Sequence, residues 1–260
     1  MRCTWRSGGK GRSGRRPCFW PSASVRTDSG RFWGFLVALS ETGQAWERLI
    51  DQLKERGLSG VEVATSDAHE GLKQALREAF PGLIWQRCQA HFKRNVMDQT
   101  PASYKDRMDQ VLDQILRASS QQEAQDRFKN LREELAEEAP SALEVLEDGL
   151  YEATAVLALP GKYRRRLRTT NMVERFIQEV RRREKPIRIF PSVESARRLV
   201  GALCAETHEE WSTGRCYLDM EEFFEWRASH LEEESSEEDS FGDQASSTEN
   251  SVDRDTAVAA

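Results

Sequence analysis

Residues 61–96 read VEVATSDAHEGLKQALREAFPGLIWQRCQAHFKRNV, and this stretch decides the fold. Its first part, VEVATSD, is rich in β-branched residues and predicts a buried strand that ends at Asp67. EGLKQALREAF has the apolar spacing of an amphipathic helix, which Pro81 and Gly82 bring to an end. LIWQRCQAHFKRNV then predicts a short strand that runs into a basic helix. This alternation is typical of an α/β core.

A predicted strand, a predicted helix and a segment without a periodic pattern precede this stretch. RFWGFLVALS predicts a short strand after the turn signal TDSG, in which Asp28 is a turn residue. ETGQAWERLIDQLKERGL predicts a helix that Gly57 ends. Residues 1–25 are rich in Arg, Gly, Ser, Pro, Trp and Cys and have neither a helical nor a strand period. We therefore assign residues 1–25 no secondary structure, expect them to be disordered, and place the first part of the core at residues 26–100.

The pattern after this stretch is helical. Apolar residues recur at helical spacing through residues 101–160, which predicts an all-helical insertion. TTNMVERFIQEVRRR and VESARRLVGALCAETHEEW then predict two helices, so that residues 161–230 form the last part of the core. Residues 231–260 have almost no apolar content, and we predict a disordered acidic tail there.

The net charge of −6 conceals an uneven distribution along the chain. Residues 231–260 contain ten acidic residues and one basic residue, whereas residues 161–200 contain thirteen basic and four acidic residues. A basic segment of this density fits a surface that faces phosphates. A solvated helix face with ordinary ion pairs explains the same charges equally well.

Composition excludes two classes of protein. No run of about 18 apolar residues occurs, which argues against a membrane span, and the basic start of the sequence lacks the apolar run of a secretory signal. The five cysteines are too few and too scattered for a disulfide framework, so they indicate a reducing compartment. We therefore expect a cytoplasmic protein.

Two carboxylates are candidates for metal chemistry, and each has a structural alternative. Asp67 follows a predicted buried strand, where α/β folds present reactive groups and where an oxygen ligand suits Mg²⁺. SDAHEGL also resembles a helix N-terminus, and spacing alone favours Asp67 as its cap. Glu174 lies in a basic setting that suits phosphodiester chemistry, but the segment from Asn171 to Glu174 equally fits a capping box.

Cys88 and His91 form a C-x-x-H pair between the predicted strand and helix. Zinc would need two further ligands, and His69 is the only nearby candidate, so a zinc site is a weak interpretation. A buried Cys88 and a His91 that faces DNA or the carboxylates fit better. Cys204 shares a helix face with Leu199, Val200 and Leu203 and is predicted to lie in the core.

Five blocks, in this order, resemble the signature of the bacterial Mutator-type insertion-sequence transposases. They are LKERGL, SDAHEGLKQALREAFPGLIWQRCQAHFKRNV, TTNMVERFIQEVRRR, IRIFPS and EEWSTGRCYL, and the resemblance runs from about Asp28 to Leu218. It implies an α/β, ribonuclease-H-like core interrupted by an all-helical insertion. It further implies that an Asp–Asp–Glu triad with Mg²⁺ or Mn²⁺ cuts element ends and joins the 3′-hydroxyl to target DNA.

The resemblance also implies residue roles. Asp67 matches the second aspartate and Glu174 the glutamate, as catalytic metal ligands, while Cys88 and His91 match the family's C-x-x-H element. Double-stranded DNA, both element ends and target, is the implied partner, in a nucleoid-associated protein that forms a homo-oligomer or a mixed oligomer with intact transposase. The predicted DNA-binding side chains are Arg87, His91, Arg94, Arg164, Arg165, Arg166, Arg168, Arg181, Arg182 and Arg183.

One part of the family pattern has no match. The first aspartate of the triad belongs ahead of TDSGR, and residues 1–27 contain no acidic residue. We therefore expect an incomplete core in a truncated copy, or a non-catalytic remnant that binds DNA or dimerises. A shifted reading frame explains residues 1–25, because codons for MRCTWRS preceded by G can also encode Asp-Ala-Leu-Tyr-Leu-Glu-Val. The nucleotide sequence tests this hypothesis directly.

Overall fold

The structure is a computed structural model that describes residues 3–6, 15–19, 35–37, 42–187, 190–213 and 221–229. The chain divides into two compact units, Met1–Leu218 and Asp219–Ala260. In chain order, the elements of the first unit are β1 Cys3–Arg6, β2 Arg15–Phe19, β3 Leu36–Val37, α1 Gly43–Glu55, β4 Val63–Ser66, α2 Glu70–Ala79, β5 Ile84–Arg87, α3 Gln89–Gln99, α4 Lys105–Leu116, α5 Gln121–Leu135, α6 Pro140–Thr154, α7 Gly161–Leu167, α8 Asn171–Ile187 and α9 Val193–Thr213. In the second unit, residues 221–229 form helix α10.

A parallel strand pair carries the stretch that the sequence singles out. β4 pairs with β5 in parallel from Val63 opposite Ile84 to Ser66 opposite Arg87, and α2 is the crossover helix between them. The backbone N–H of Cys88 donates to the Ser66 carbonyl at 2.7 Å, which extends the pairing by one step. Because parallel strands end at the same edge, the residues that follow β4 and β5 are brought side by side.

Helix α1 packs on α2 and follows the sequence prediction. The Thr42 hydroxyl accepts a hydrogen bond from the backbone N–H of Ala45 at 3.3 Å and caps the helix. The buried residues of α1 are Trp46, Leu49, Ile50 and Leu53, at the helical spacing that the sequence shows. Gly57 has a φ of 96°, which favours glycine, and the predicted end of this helix is confirmed.

Helices α3, α4, α5 and α6 share one apolar core, and two buried glutamines attach the core to the strand pair. Gln86 of β5 donates to the Ala153 carbonyl at 2.8 Å and accepts from the Val156 backbone N–H at 2.6 Å. Gln89 of α3 donates to the same carbonyl at 2.9 Å. These bonds satisfy amides that burial would otherwise penalise, and so they fix α6 against β5.

Helices α8 and α9 form a separate apolar cluster. Val173, Phe176, Ile177 and Val180 of α8 are buried in it, and the prediction that Cys204 of α9 lies in the core is confirmed. Burial raises the pKa of the Cys204 thiol to about 12, so this cysteine is a packing residue.

The structure corrects the assignment of residues 1–25. β1 pairs with β2 antiparallel, with Cys3 opposite Cys18, and β2 pairs with β3, with Cys18 opposite Val37. The absence of secondary structure was therefore the wrong prediction for residues 3–6 and 15–19. An alternating sequence pattern indicates that one face of a strand is buried. Strand pairing uses backbone N–H and C=O groups, which such a pattern does not reveal.

Several sequence predictions remain predictions. The turn at Asp28 and the tail at residues 231–260 lie outside the described residues. The ribonuclease-H-like core and its interruption also stay predictions, since the parallel sheet found in the described residues has two strands. Among the helices of the described segments, none is long and apolar enough to cross a membrane.

Candidate functional site

Asp67 lies directly after β4, at the edge where the parallel strands end. The cap of α2 is His69, whose Nδ1 accepts from the Leu72 backbone N–H at 3.3 Å. The Asp67 carbonyl accepts from the backbone N–H of His69 at 2.9 Å, so its main chain supports the turn. The interpretation of the Asp67 side chain as the helix cap is therefore wrong.

Glu174 lies in the first turn of α8, and its position excludes the capping box. The helix begins at Asn171, and the Thr170 carbonyl accepts from the backbone N–H of Glu174 at 3.0 Å. Thr170 is thus the cap residue, and the third helical position is Val173, which has no carboxylate to reach back. The Glu174 carboxylate instead lies 3.6 Å from Nε2 of His91.

The C-x-x-H pair connects the start of α3 to the start of α8. The Cys88 thiol is buried and lies 3.3 Å from the Thr170 hydroxyl, which shares a hydrogen bond with it. Burial raises the pKa of this thiol, but hydrogen bonds with His91 and Thr170 outweigh burial and lower it to about 7. The expectations that Cys88 is buried and that His91 faces a carboxylate are both confirmed.

The charges of Asp67 and Glu174 both affect the pKa of the His91 imidazole. The pKa of its imidazole is raised, first by the hydrogen bond with the Cys88 thiol and further by the charges of Cys88, Asp67 and Glu174, against burial, which lowers it. Of the two carboxylates, Glu174 lies 3.6 Å from the imidazole, and Asp67 acts on its pKa through charge alone. The structure therefore brings together His91 and Glu174, which are far apart in sequence.

Backbone contacts fix the chain before α8 onto the strand edge. The Thr65 hydroxyl of β4 donates to the Leu167 carbonyl at 2.5 Å, and the backbone N–H of Gln89 donates to the Arg168 carbonyl at 2.9 Å. These two bonds attach the end of α7 to β4 and α3. As a result, α8 starts next to Cys88 and His91.

Contacts within the protein involve several members of the predicted DNA-binding set, among them Arg87, Arg164, Arg182 and Arg183. Arg164 donates to the Leu159 and Ser119 carbonyls, both at 2.7 Å, and therefore joins α7 to neighbouring loops. Arg182 and Arg183 both bind Glu179. Arg87 lies over the Phe92 ring at 4.8 Å, and burial lowers the pKa of its guanidinium.

The remaining predicted arginines differ in exposure. Arg94, Arg165, Arg166 and Arg181 are exposed on α3, α7 and α8, and Arg168 is half-buried with its carbonyl bound to α3. Arg94 is three residues after His91, one helical turn away on the same helix. The predicted basic set is thus spread over exposed and half-buried positions of several helices.

Sequence reasoning did not identify Thr170 and His69 as the helix caps. Thr170 stands directly before the α8 pattern, where Ser and Thr favour a cap, so the TTN spacing could have identified it. The cap at His69 had no such signal, because histidine is not a preferred cap residue. Within the described segments, no group of three or more His, Cys, Asp or Glu side chains is placed to hold a metal ion.

The described residues thus form many helices and one parallel pair of strands, and the Glu174 carboxylate at the start of α8 faces His91 of α3. Residues 22–214 match the family described as "Transposase, Mutator family". The chain therefore belongs to the Mutator family of transposases.

Three relatives illustrate the family. The chain is 37% identical over 191 residues to the transposase for insertion sequence element IS256 in transposon Tn4001 of Staphylococcus aureus, covering 72% of this chain and 49% of that protein. It is 36% identical over 189 residues to the transposase for ISRM5 of Rhizobium meliloti, covering 73% and 48%. For the transposase for IS1081 of Mycobacterium tuberculosis, the identity is 36% over 188 residues, covering 72% and 45%. The chain thus spans about half the length of these relatives.

Proposed function

We propose that the chain carries the site for the chemistry of an insertion-sequence transposase, which is metal-dependent DNA strand cleavage followed by strand transfer, and that strand transfer by this chain alone is poor because one carboxylate of the triad is unassigned. The observation that carries the proposal is the shared environment of His91. Glu174 lies 3.6 Å from its Nε2, and the charges of Asp67 and Glu174 both act on its imidazole. The relatives, each named as a transposase, support the class of activity.

Asp67 and Glu174 would hold the Mg²⁺ or Mn²⁺ ion. The donor set fits, because Mg²⁺ takes oxygen ligands, keeps several waters and is commonly bound by one or two carboxylates together with substrate phosphates. Such an ion supplies the charge that activates an attacking oxygen and stabilises a leaving oxygen. Two carboxylates are two members of the triad, and the resemblance assigns no third member in this sequence.

The surrounding residues position this pair. His91 holds the Glu174 carboxylate at the start of α8, and the contact between Cys88 and Thr170 keeps α3 and α8 together. Arg94, one turn from His91, and the exposed arginines of α7 would bind the DNA backbone through charge. These arginines neutralise phosphates, and so they favour duplex DNA over neutral ligands.

We further propose that the strand pair with α2, α3, α8 and α9 belongs to a ribonuclease-H-like core, which α4, α5 and α6 interrupt. The parallel register of β4 and β5, with α2 as the crossover helix, supports the α/β part of this proposal. A nucleoid location and a homo-oligomer, or a mixed oligomer with an intact transposase, belong to the same proposal. Light scattering of the purified chain with and without DNA tests the oligomer.

Nicking of supercoiled plasmid is the most sensitive test of this function, because one carboxylate of the triad is unassigned and full strand transfer is expected to be poor. We expect weak nicking that requires Mg²⁺ or Mn²⁺ and is reduced at least tenfold in Asp67→Asn and Glu174→Gln, as for the loss of an electrostatic contact in a transition state. DNA binding should persist in both variants. Asp148→Asn, an exposed carboxylate of α6, is the matched control and should nick like the parent chain.

The outcomes separate the two candidate functions. Nicking that survives in both carboxylate variants would contradict the assigned site. DNA binding without any metal-dependent nicking would instead support a non-catalytic DNA-binding protein, which the basic charge of residues 161–200 favours. A chain that binds no DNA would contradict both functions.

A further inference from the structure

We propose that Gln89 is a positioning residue, which holds the first turn of α3 in the place where His91 meets Glu174. The proposal rests on the proposed function and deepens it, because it names a residue that acts on the site without touching DNA or metal. It also gives α4 and α6 a part in the site, although neither helix carries a predicted site residue.

The first turn of α3 receives its support from outside the helix. Its cap residue, Cys88, makes no side-chain hydrogen bond to the turn, and such a start leaves backbone N–H groups without a partner in the helix. One of them, the N–H of Gln89, donates to the Arg168 carbonyl at 2.9 Å. Arg168 lies three residues before α8 begins at Asn171, so this bond connects the start of α3 to the start of α8.

The Gln89 side chain connects the same turn to the ends of α4 and α6. Its Nε2 donates to the Ala153 carbonyl at 2.9 Å and to the Leu116 carbonyl at 3.3 Å. Leu116 ends α4, and Ala153 lies in the last turn of α6, where carbonyl groups have no partner within the helix. Both bonds are buried, so water does not replace them when the amide is removed.

Gln89 and His91 point to opposite sides of α3. Two residues correspond to a rotation of about 200° in an α-helix. The Gln89 amide therefore holds the side of α3 that faces the ends of α4 and α6, while Nε2 of His91 lies 3.6 Å from the Glu174 carboxylate. A rotation of the first turn against α4 and α6 would move the imidazole away from that carboxylate, and the bonds of Gln89 oppose this rotation.

The neighbouring glutamine has a different set of partners. Gln86 of β5 also donates to the Ala153 carbonyl, at 2.8 Å, but its other bonds are to the Arg87 carbonyl and to the Val156 backbone N–H. Gln86 thus attaches α6 to the strand, whereas Gln89 joins α6 and α4 to α3. This difference provides a matched control, because the same substitution can be made at both positions.

The test compares Gln89→Met with Gln86→Met, since methionine keeps an unbranched side chain and removes the amide. Affinity for Mn²⁺ in the presence of duplex DNA is measured by electron paramagnetic resonance, well below the melting temperature of every variant. Gln89→Met should weaken Mn²⁺ binding by about tenfold, as for the loss of a group that orients a metal ligand from outside the metal's own ligands. Gln86→Met should weaken it by less than about threefold, and affinity for the duplex should be unchanged in both.

Hydrogen exchange gives a second measurement that needs neither metal nor DNA. In the free chain, backbone amides of residues 89–96 and 171–177 should exchange at least about fivefold faster in Gln89→Met than in the parent chain. In Gln86→Met, these two segments should exchange as in the parent chain. Gln89→Asn keeps the amide on a side chain that is one methylene shorter, so it should change both measurements in the same direction. It replaces Gln89→Met in the comparison if that variant does not fold.

The outcomes separate this role from the proposed function. Equal losses of Mn²⁺ affinity at the two positions would overturn the role of Gln89, because the attachment of α6 would then explain both. Unchanged Mn²⁺ affinity in the Gln89 variants, or failure of both to fold, would also overturn it, and the proposed function would stand. A parent chain that binds no Mn²⁺ with DNA would overturn both. A loss confined to the Gln89 variants, with faster exchange in both segments, supports the role.

Discussion

At the scale of the residue, close contact between side chains decides what the site can do. Cys88 has no exposed surface, and its contact with Thr170 and hydrogen bond with His91 hold the thiol pKa near 7 in spite of burial. The imidazole of His91 faces Glu174, and the charge of Asp67 also raises its pKa. One buried thiol and one histidine thus connect α3 to the start of α8, where Glu174 lies.

Gly149 provides another close contact, since α6 approaches α3 there. A Cβ atom at this position would lie 2.5 Å from Cε2 of Phe92 and would also meet the Arg87 guanidinium. Phe92 is fully buried and cannot give way, so Gly149→Ala should lower the free energy of unfolding by about 1–3 kcal/mol. Urea denaturation measures the change.

Gly161→Ala is the control for this prediction. A Cβ at Gly161 meets no atom within 4 Å, so this variant should unfold like the parent chain or slightly later. Equal stability of the two alanine variants would show that α3 and α6 are not packed as closely as described.

At the scale of the element, polar contacts fix the helices on one another. Lys93 of α3 donates to Asp113 of α4 at 2.6 Å and also pairs with Asp109 at 2.9 Å. Gln86 and Gln89 attach the strand pair to α6 through buried amides. Helices α4 and α6 are therefore attached to α3 and β5 by ion pairs and hydrogen bonds as well as by apolar packing.

The contact between Lys93 and Asp113 predicts a pH dependence of stability. The hydrogen bond from Lys93 lowers the pKa of the Asp113 carboxyl below its ordinary 3.8. Because this folded pKa is depressed, the stabilisation is present above the unfolded pKa and is lost as the pH falls through the folded pKa. Asp113→Asn should thus lower the free energy of unfolding by about 0.5–1 kcal/mol at pH 7, a small change because Asp113 is partly exposed. Below about pH 3 the same substitution should change the free energy of unfolding little.

Urea titrations at several pH values test this dependence, with Asp126→Asn as the control. Asp126 pairs with Lys129 on the surface of α5 at 3.4 Å, and its replacement should change little at any pH. A cost for Asp113→Asn that is the same at pH 7 and pH 3 would contradict a stabilising charged pair.

The elements with strong patterns could be predicted, and those held by backbone or tertiary contacts could not. The apolar spacing of α1 and the β-branched run of β4 identify both elements, because one-sided burial leaves a period in the sequence. β1 and β2 left no such signal. Among the site residues, the resemblance pointed to Asp67 and Glu174, whereas local spacing favoured caps at these segments. The caps are His69, which only the folded backbone reveals, and Thr170, which the TTN spacing could have identified.

At the scale of the whole molecule, the family, the charge distribution and the fold agree with the proposed transposase function. The chain belongs to the Mutator family of transposases, and its basic segment follows the described helical core and leads into the helix that carries Glu174. A carboxylate on a strand edge and another on a basic helix are an arrangement that suits binding of a metal ion and a DNA backbone together. The central claim is that Asp67 and Glu174 serve one site.

The most direct measurement of that claim is the number of Mn²⁺ ions that the chain binds in the presence of duplex DNA, counted by electron paramagnetic resonance. It is made on the parent chain, Asp67→Asn, Glu174→Gln and the double variant. If both carboxylates serve one site, each single variant loses the DNA-dependent Mn²⁺ and the double variant loses no more. Losses that add in the double variant would show two separate sites, and an unchanged count in all variants would show that neither carboxylate binds the metal.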